Sequence, residues 1–107
     1  MRAWLVTTGL AGLLVTNAAF AADKGDPAKG KEVFDQCSVC HNADSEEKKV
    51  GPGLKGLFKH ATLKNGKKVT EESVRAFINT GGNGMPSYAD LLSDTEKNNL
   101  IAYLKTL

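Results

Sequence analysis

The chain has 107 residues, 14 Lys and Arg against 12 Asp and Glu, and two cysteines. That length holds one domain, and a net charge of +2 lacks the basic excess of a nucleic-acid binder. The composition is that of a folded domain, with no low-complexity block and no internal repeat.

The first segment reads as a leader. Arg2 supplies a basic start, Ala3 to Val15 is apolar or small apart from Thr7 and Thr8, and Ala19 and Ala21 occupy the positions of an A-x-A cleavage site. This pattern predicts a secretory signal peptide over residues 1–21. A retained anchor would need about 20 predominantly apolar residues, and the run is shorter and more interrupted than that. No stable membrane span is therefore expected after cleavage. The remaining domain, residues 22–107, has no tryptophan, one methionine (Met85) and a net charge of +1. Export to the periplasm places Cys37 and Cys40 in an oxidising compartment, where thiols end bridged, metal-bound or covalently modified. So short a domain builds a small core of its own, and something is expected to supplement it.

Four helical patterns follow. The first starts at Asp26, a capping residue, with Pro27 at the first helical position, where its missing N–H costs nothing. Gly30, Val33, Phe34 and Cys37 then recur at i, i+3, i+4, i+7. Gly30 inside this pattern is either a tolerated weakness of about 1 kcal/mol or a point of close approach by another helix. The second pattern is a short turn in "GPGLKGLF", with Leu54, Leu57 and Phe58 at helical spacing. The third is capped by Thr70, carries Val74, Phe77 and Ile78, and stops at Gly81-Gly82, which suit a left-handed C-terminal cap. Residues 79–92, "NTGGNGMPSYADLL", read as a loop. The last helix opens on a Ser93/Glu96 capping box and repeats the apolar face at Leu100, Tyr103, Leu104 and Leu107, with Lys105 complementing the helix dipole. No stretch alternates as a strand, so the fold class is all-α with long loops.

The chemistry concentrates at Cys37-Ser38-Val39-Cys40-His41, which fits the C-x-x-C-H pattern of c-type haem attachment. Positions i and i+3 share one face of a helical turn, so both thiols can meet the two vinyl groups along one porphyrin edge. His41 follows at once and can offer an imidazole nitrogen to the iron. The rival readings are weaker. A redox C-x-x-C wants its first cysteine at a helix N-terminus after a strand, whereas these cysteines come at a helix end. A structural zinc site wants four ligands, and only Cys37, Cys40, His41 and His60 are available. A plain disulfide leaves His41 unexplained.

A sixth iron ligand is expected from Met85, which sits in a polar glycine loop where an ordinary core methionine is out of place. A thioether ligand favours Fe(II) and raises the potential, as suits an electron carrier. His60 is the competing ligand, but it lies among lysines and reads as a solvated loop residue.

Residues 26–107 resemble a small class I c-type cytochrome, through "GKEVFDQCSVCH", "GPGLKGLF", "GMPSY" and "LIAYLKTL". The resemblance implies a cytochrome c fold of about four helices and long loops wrapped around one covalent haem c, and an electron carrier rather than an enzyme. It implies that the first and last helices cross with Gly30 against Tyr103 and Phe34 near Leu100. It also implies that the Pro52 carbonyl accepts the N–H of His41, and that Met85 is the distal ligand. Many members hold a haem propionate with a tryptophan; here Arg75, Tyr88 or loop amides would have to serve.

The expected role is exported one-electron transfer by a monomer between redox proteins, such as an exported dehydrogenase and a terminal oxidase or reductase. The alternative is a haem c subunit held by a periplasmic dehydrogenase. A peroxidatic or ligand-binding haem protein would need a distal acid–base pair, and none stands near "GNGMPSY". Charge is segregated: residues 48–70 carry seven lysines and no acid, while residues 22–47 carry a net −4 and residues 71–107 a net −2. The lysine block is either a solvated loop face or a surface that steers an acidic partner.

Overall fold

The protein is described by a computed structural model over residues 24–107. The leader expected over residues 1–21 lies outside the described residues.

Three α-helices carry the architecture: α1 (Pro27–Phe34), α2 (Glu71–Thr80) and α3 (Asp94–Leu104), with one 3-10 turn, Leu57–Lys59, between α1 and α2. Among the described residues the only β-type pairs are isolated bridges, Thr62 with Lys68 and Gly82 with Met85. None of the described helices is long and apolar enough to cross a membrane.

Each helix begins where its side chains satisfy the free N–H groups of the first turn. The Asp26 carboxylate accepts from Ala28 N with Pro27 next in line. Thr70 caps α2 through a capping box completed by Ser73, and Ser93 caps α3 with Glu96, as expected. Gly81 ends α2 at φ 67°, ψ −159°, a positive φ that glycine tolerates, although ψ departs from the left-handed helical cap.

α1 is shorter than its periodicity suggests. The regular helix stops at Phe34, and the chain continues through tight turns: Cys37 N and Ser38 N both donate to Phe34 O, at 2.7 and 2.9 Å. Cys37 therefore lies one turn beyond the helix rather than on it.

The helical core is the crossing of α1 on α3, with α2 packed more lightly against α3. Gly30 is the contact point. A Cβ there would overlap the Asn99 carbonyl oxygen and lie 2.8 Å from Tyr103 Cβ, so this glycine is a place of close approach. Phe34 and Tyr103 meet with ring centroids 5.5 Å apart and tilted by 56°. Phe34 and Leu100 share one buried cluster with Val74, Ile78, Leu92, Ile101 and Leu104. Asn99, also buried, accepts from Asp26 N at 2.8 Å and so ties the start of α1 to the middle of α3.

A second, looser apolar layer lies over this core. Leu54, Leu57, Phe58, Leu63, Val69, Met85 and Tyr88 pack against it yet stay only partly buried.

Candidate haem site

Cys37, Cys40 and His41 occupy a single turn. Cys40 N and His41 N both donate to Cys37 O, at 3.1 and 3.0 Å. Both cysteines are free thiols and partly buried. Residues 51–54 fold back along this turn: Gly51 N donates to Cys40 O at 2.7 Å and Leu54 N to Asn42 O at 2.8 Å.

That strap fixes the imidazole. His41 Nδ1 lies 2.7 Å from the Pro52 carbonyl oxygen, as the resemblance implied. A carbonyl can only accept, so Nδ1 carries the proton and a neutral ring keeps its lone pair on Nε2. The hydrogen bond also fixes ring orientation and raises the basicity of the other nitrogen. Gly51 makes room for it, because a Cβ at that position would stand 2.5 Å from His41 Cε1 and 2.9 Å from Nδ1.

Met85 closes a four-residue turn, Gly82 to Met85. Gly82 N donates to Met85 O at 2.9 Å and Met85 N to Gly82 O at 3.0 Å. Asn83 and Gly84 between them have φ of 54° and 92°. Positive φ at both central positions belongs to a type I′ turn, for which Asn-Gly is the favoured pair. Beyond Met85 the arm is held to α2, with Ser87 Oγ donating to Asn79 O at 2.5 Å and Tyr88 N to Ile78 O at 2.9 Å. Met85 itself packs partly buried against the core.

Electrostatics separate the thiols from a redox pair. Burial, and then the neighbouring Cys40, push the Cys37 thiol up to about 11. Reactive C-x-x-C cysteines have lowered values, so Cys37 is a poor thiolate. The Tyr88 phenol is also raised, first by its burial and then by Cys37 and Cys40, which places it within electrostatic reach of that turn.

His60 is exposed, with Nε2 3.8 Å from Glu46 Oε1 in a surface pair. Among the described residues no three of His, Cys, Asp and Glu gather into a group that could hold a metal ion. Arg75 Nη2 donates to Asn98 Oδ1 at 2.6 Å and so engages α3. All seven lysines of residues 48–70 are exposed. Lys97, which the sequence analysis did not single out, is buried, with Nζ donating to Ala89 O in the segment that leads into α3. The Asn83-Gly84 turn signal was present in the sequence within the glycine-rich loop.

Two thiols on one turn, an imidazole with its Nε2 lone pair free, a thioether on a tight turn and a layer of partly covered apolar side chains fit a covalently held haem.

Comparison with known proteins agrees. Residues 25–104 match the family model described as cytochrome C oxidase, cbb3-type, subunit III. The chain is 36% identical to a cytochrome c2 of Blastochloris viridis, over 88% of each chain. It is 31% identical to a cytochrome c2 of Agrobacterium tumefaciens (strain II Chrys), over 76% of this chain and 91% of the other. Among solved structures it resembles cytochrome c6 from the diatom Phaeodactylum tricornutum with a TM-score of 0.61 at 28% identity, over 77% of this chain and 93% of that one. The site and fold define a haem c protein of the electron-transfer class. The chain belongs to this c-type cytochrome family, as a small class I member that carries covalent haem c and works as an electron carrier, not an enzyme.

Proposed function

We propose that residues 22–107, released from a signal peptide at residues 1–21, form a periplasmic monomer that shuttles single electrons between exported redox proteins. In this reading Cys37 and Cys40 would hold one haem c through thioethers, and His41 Nε2 and Met85 Sδ would bind its iron. The observation that carries it is the hydrogen bond from His41 Nδ1 to Pro52 O at 2.7 Å, which leaves Nε2 as the only ring nitrogen able to bind iron.

The haem, when bound, supplies a one-electron Fe(III)/Fe(II) couple. The rest is done by the chain. The Pro52 carbonyl keeps the imidazole in one tautomer and one orientation through the redox cycle. The Gly82–Met85 turn presents a soft thioether, which favours the reduced state. Leu54, Leu57, Phe58 and Tyr88, partly buried against the core, would serve as apolar or aromatic cover that keeps water from the haem. With His41 and Met85 both bound to the iron, the chain would leave no open ligand position for a substrate, as suits one-electron transfer. The alignments spanning 91% and 93% of proteins described as cytochromes c2 and c6 support a mobile carrier over a subunit of a dehydrogenase or oxidase.

The test is an absorption spectrum of the purified protein, oxidised and reduced, with a mass of its N-terminal peptide. The expected result is a covalent c-type reduced spectrum, a long-wavelength sulfur-to-iron band in the oxidised form, and an N-terminus at Ala22. Haem without that band would remove Met85 as ligand. An intact leader on the exported protein would replace the free monomer with an anchored one.

A further inference from the structure

Lys97 is the one charged side chain buried among the described residues, at 5% exposure. It lies in the first turns of α3, and Nζ donates to the main-chain oxygen of Ala89 at 3.1 Å. Taking an ammonium out of water is costly unless it is hydrogen-bonded or paired. A methionine or leucine would fill the same space on the helix without that cost, so the donor itself has a use.

Ala89 belongs to the arm that carries Met85. Two bonds tie that arm to α2, Ser87 Oγ to Asn79 O and Tyr88 N to Ile78 O. Among the described residues the Lys97 amine makes the side-chain hydrogen bond that ties the arm to α3. The arm is thus bonded to α2 at Ser87 and Tyr88 and runs on into α3 at Ser93, and the Lys97 bond holds Ala89, between those points, back on the first turns of α3.

We propose that Lys97 is a positioning residue that keeps Met85 on the haem iron by clamping the Ala89 carbonyl. The proposal rests on the reading of Met85 as axial ligand. An added ligand reaches the iron only when Met85 has left it. Its apparent affinity is therefore the intrinsic affinity scaled by the fraction of molecules with the arm released. Loss of a hydrogen bond made by a charged donor increases that fraction about tenfold.

The experiment is a titration of the oxidised holoprotein with imidazole, read by loss of the sulfur-to-iron band, in wild type, Lys97→Met and Lys97→Arg. The global unfolding midpoint is followed in parallel by far-ultraviolet circular dichroism. Lys97→Met is expected to bind imidazole about tenfold more tightly while its midpoint is unchanged or raised, since a buried charge has been replaced by an apolar chain of similar length. Lys97→Arg, which keeps a charged donor, is expected to return the wild-type affinity. A residue that only fills space would change neither the imidazole affinity nor its rescue. Equal affinity in wild type and Lys97→Met overturns the clamp alone, as does a gain in Lys97→Arg equal to that in Lys97→Met. A wild-type protein with haem but no sulfur-to-iron band overturns the Met85 reading and the clamp with it. Should Lys97→Met not accumulate, Lys97→Leu, which also lacks a donor, is read by the same two outcomes.

Discussion

His41 donates its Nδ1–H to the carbonyl of Pro52 at 2.7 Å, and Gly51 lies close against the same ring. The three residues act together. Proline has no N–H of its own to satisfy, glycine has no Cβ to push the ring away, and the Pro52 carbonyl sets the tautomer. The backbone bonds from Gly51 N to Cys40 O and from Leu54 N to Asn42 O lock this strap to the cysteine turn on both sides of the imidazole.

Gly51→Ala is expected to break that arrangement. The new methyl would stand 2.5 Å from His41 Cε1, and neither the ring nor the strap can yield without giving up a hydrogen bond. Overpacking of this kind costs about 1–3 kcal/mol. Because the Pro52 bond makes the imidazole a stronger donor to iron, its loss should move the reduction potential upward. Thermal unfolding and a redox titration of the holoprotein check both effects, and an unchanged potential would show that the bond survives the methyl.

Gly30→Ala tests the helix crossing separately from the haem ligands. Alanine is better than glycine inside an isolated helix by about 1 kcal/mol. Here its Cβ would meet the Asn99 carbonyl and lie 2.8 Å from Tyr103 Cβ, both on the rigid face of α3. The overlap outweighs the propensity gain, and the net expectation is a loss of about 1–3 kcal/mol. For a domain of this size, each kcal/mol lowers the thermal midpoint by about 4–8 °C. A midpoint equal to or above that of the wild type would mean that α1 and α3 can separate at no cost.

Much of this was legible because the signals are local. The caps at Asp26, Thr70 and Ser93 announce three helices, and the haem motif lies in five consecutive residues. The Gly30–Tyr103 contact was reachable only through family resemblance, since helical period alone leaves a mid-helix glycine ambiguous. The end of α1 was misjudged at Cys37 because the i, i+3, i+4, i+7 pattern continues through turns that keep a helical sense without regular helix bonding. Lys97 escaped for a different reason: a lysine near the start of a helix carries no mark in the sequence that its amine turns back to the carbonyl of Ala89. Its neighbours Asn98 and Asn99 likewise look like surface residues, yet Asn98 accepts from Arg75 and Asn99 from Asp26 N. Polar groups buried by tertiary contact leave no periodic trace.

Met85→Ala removes the proposed thioether while leaving the Gly82–Met85 backbone turn intact, since both of its hydrogen bonds are main-chain. The sulfur-to-iron band should vanish. The potential should fall, because a ligand that favours Fe(II) has gone. The reduced protein should bind carbon monoxide readily, which the wild type should not. Retention of the band in Met85→Ala would assign the sulfur elsewhere, and Met85 is the only methionine in residues 22–107.

The lysine block offers a test on the partner side. Lys48, Lys49, Lys55, Lys59, Lys64, Lys67 and Lys68 are all exposed, and no acidic residue interrupts them in sequence. Lys49 Nζ donates to Ser38 O at 2.8 Å, so one end of the block lies beside the haem-attachment turn. A surface of one sign next to the redox centre raises the encounter rate with an oppositely charged protein, and salt screens it over a Debye length of about 8 Å at physiological ionic strength. Electron transfer to an acidic redox protein should therefore slow steadily as ionic strength rises. Replacing Lys48 and Lys49 with glutamine should flatten that dependence while leaving the reduction potential unchanged. Rates that ignore salt from the outset would assign the seven lysines to solvation of the loop face alone.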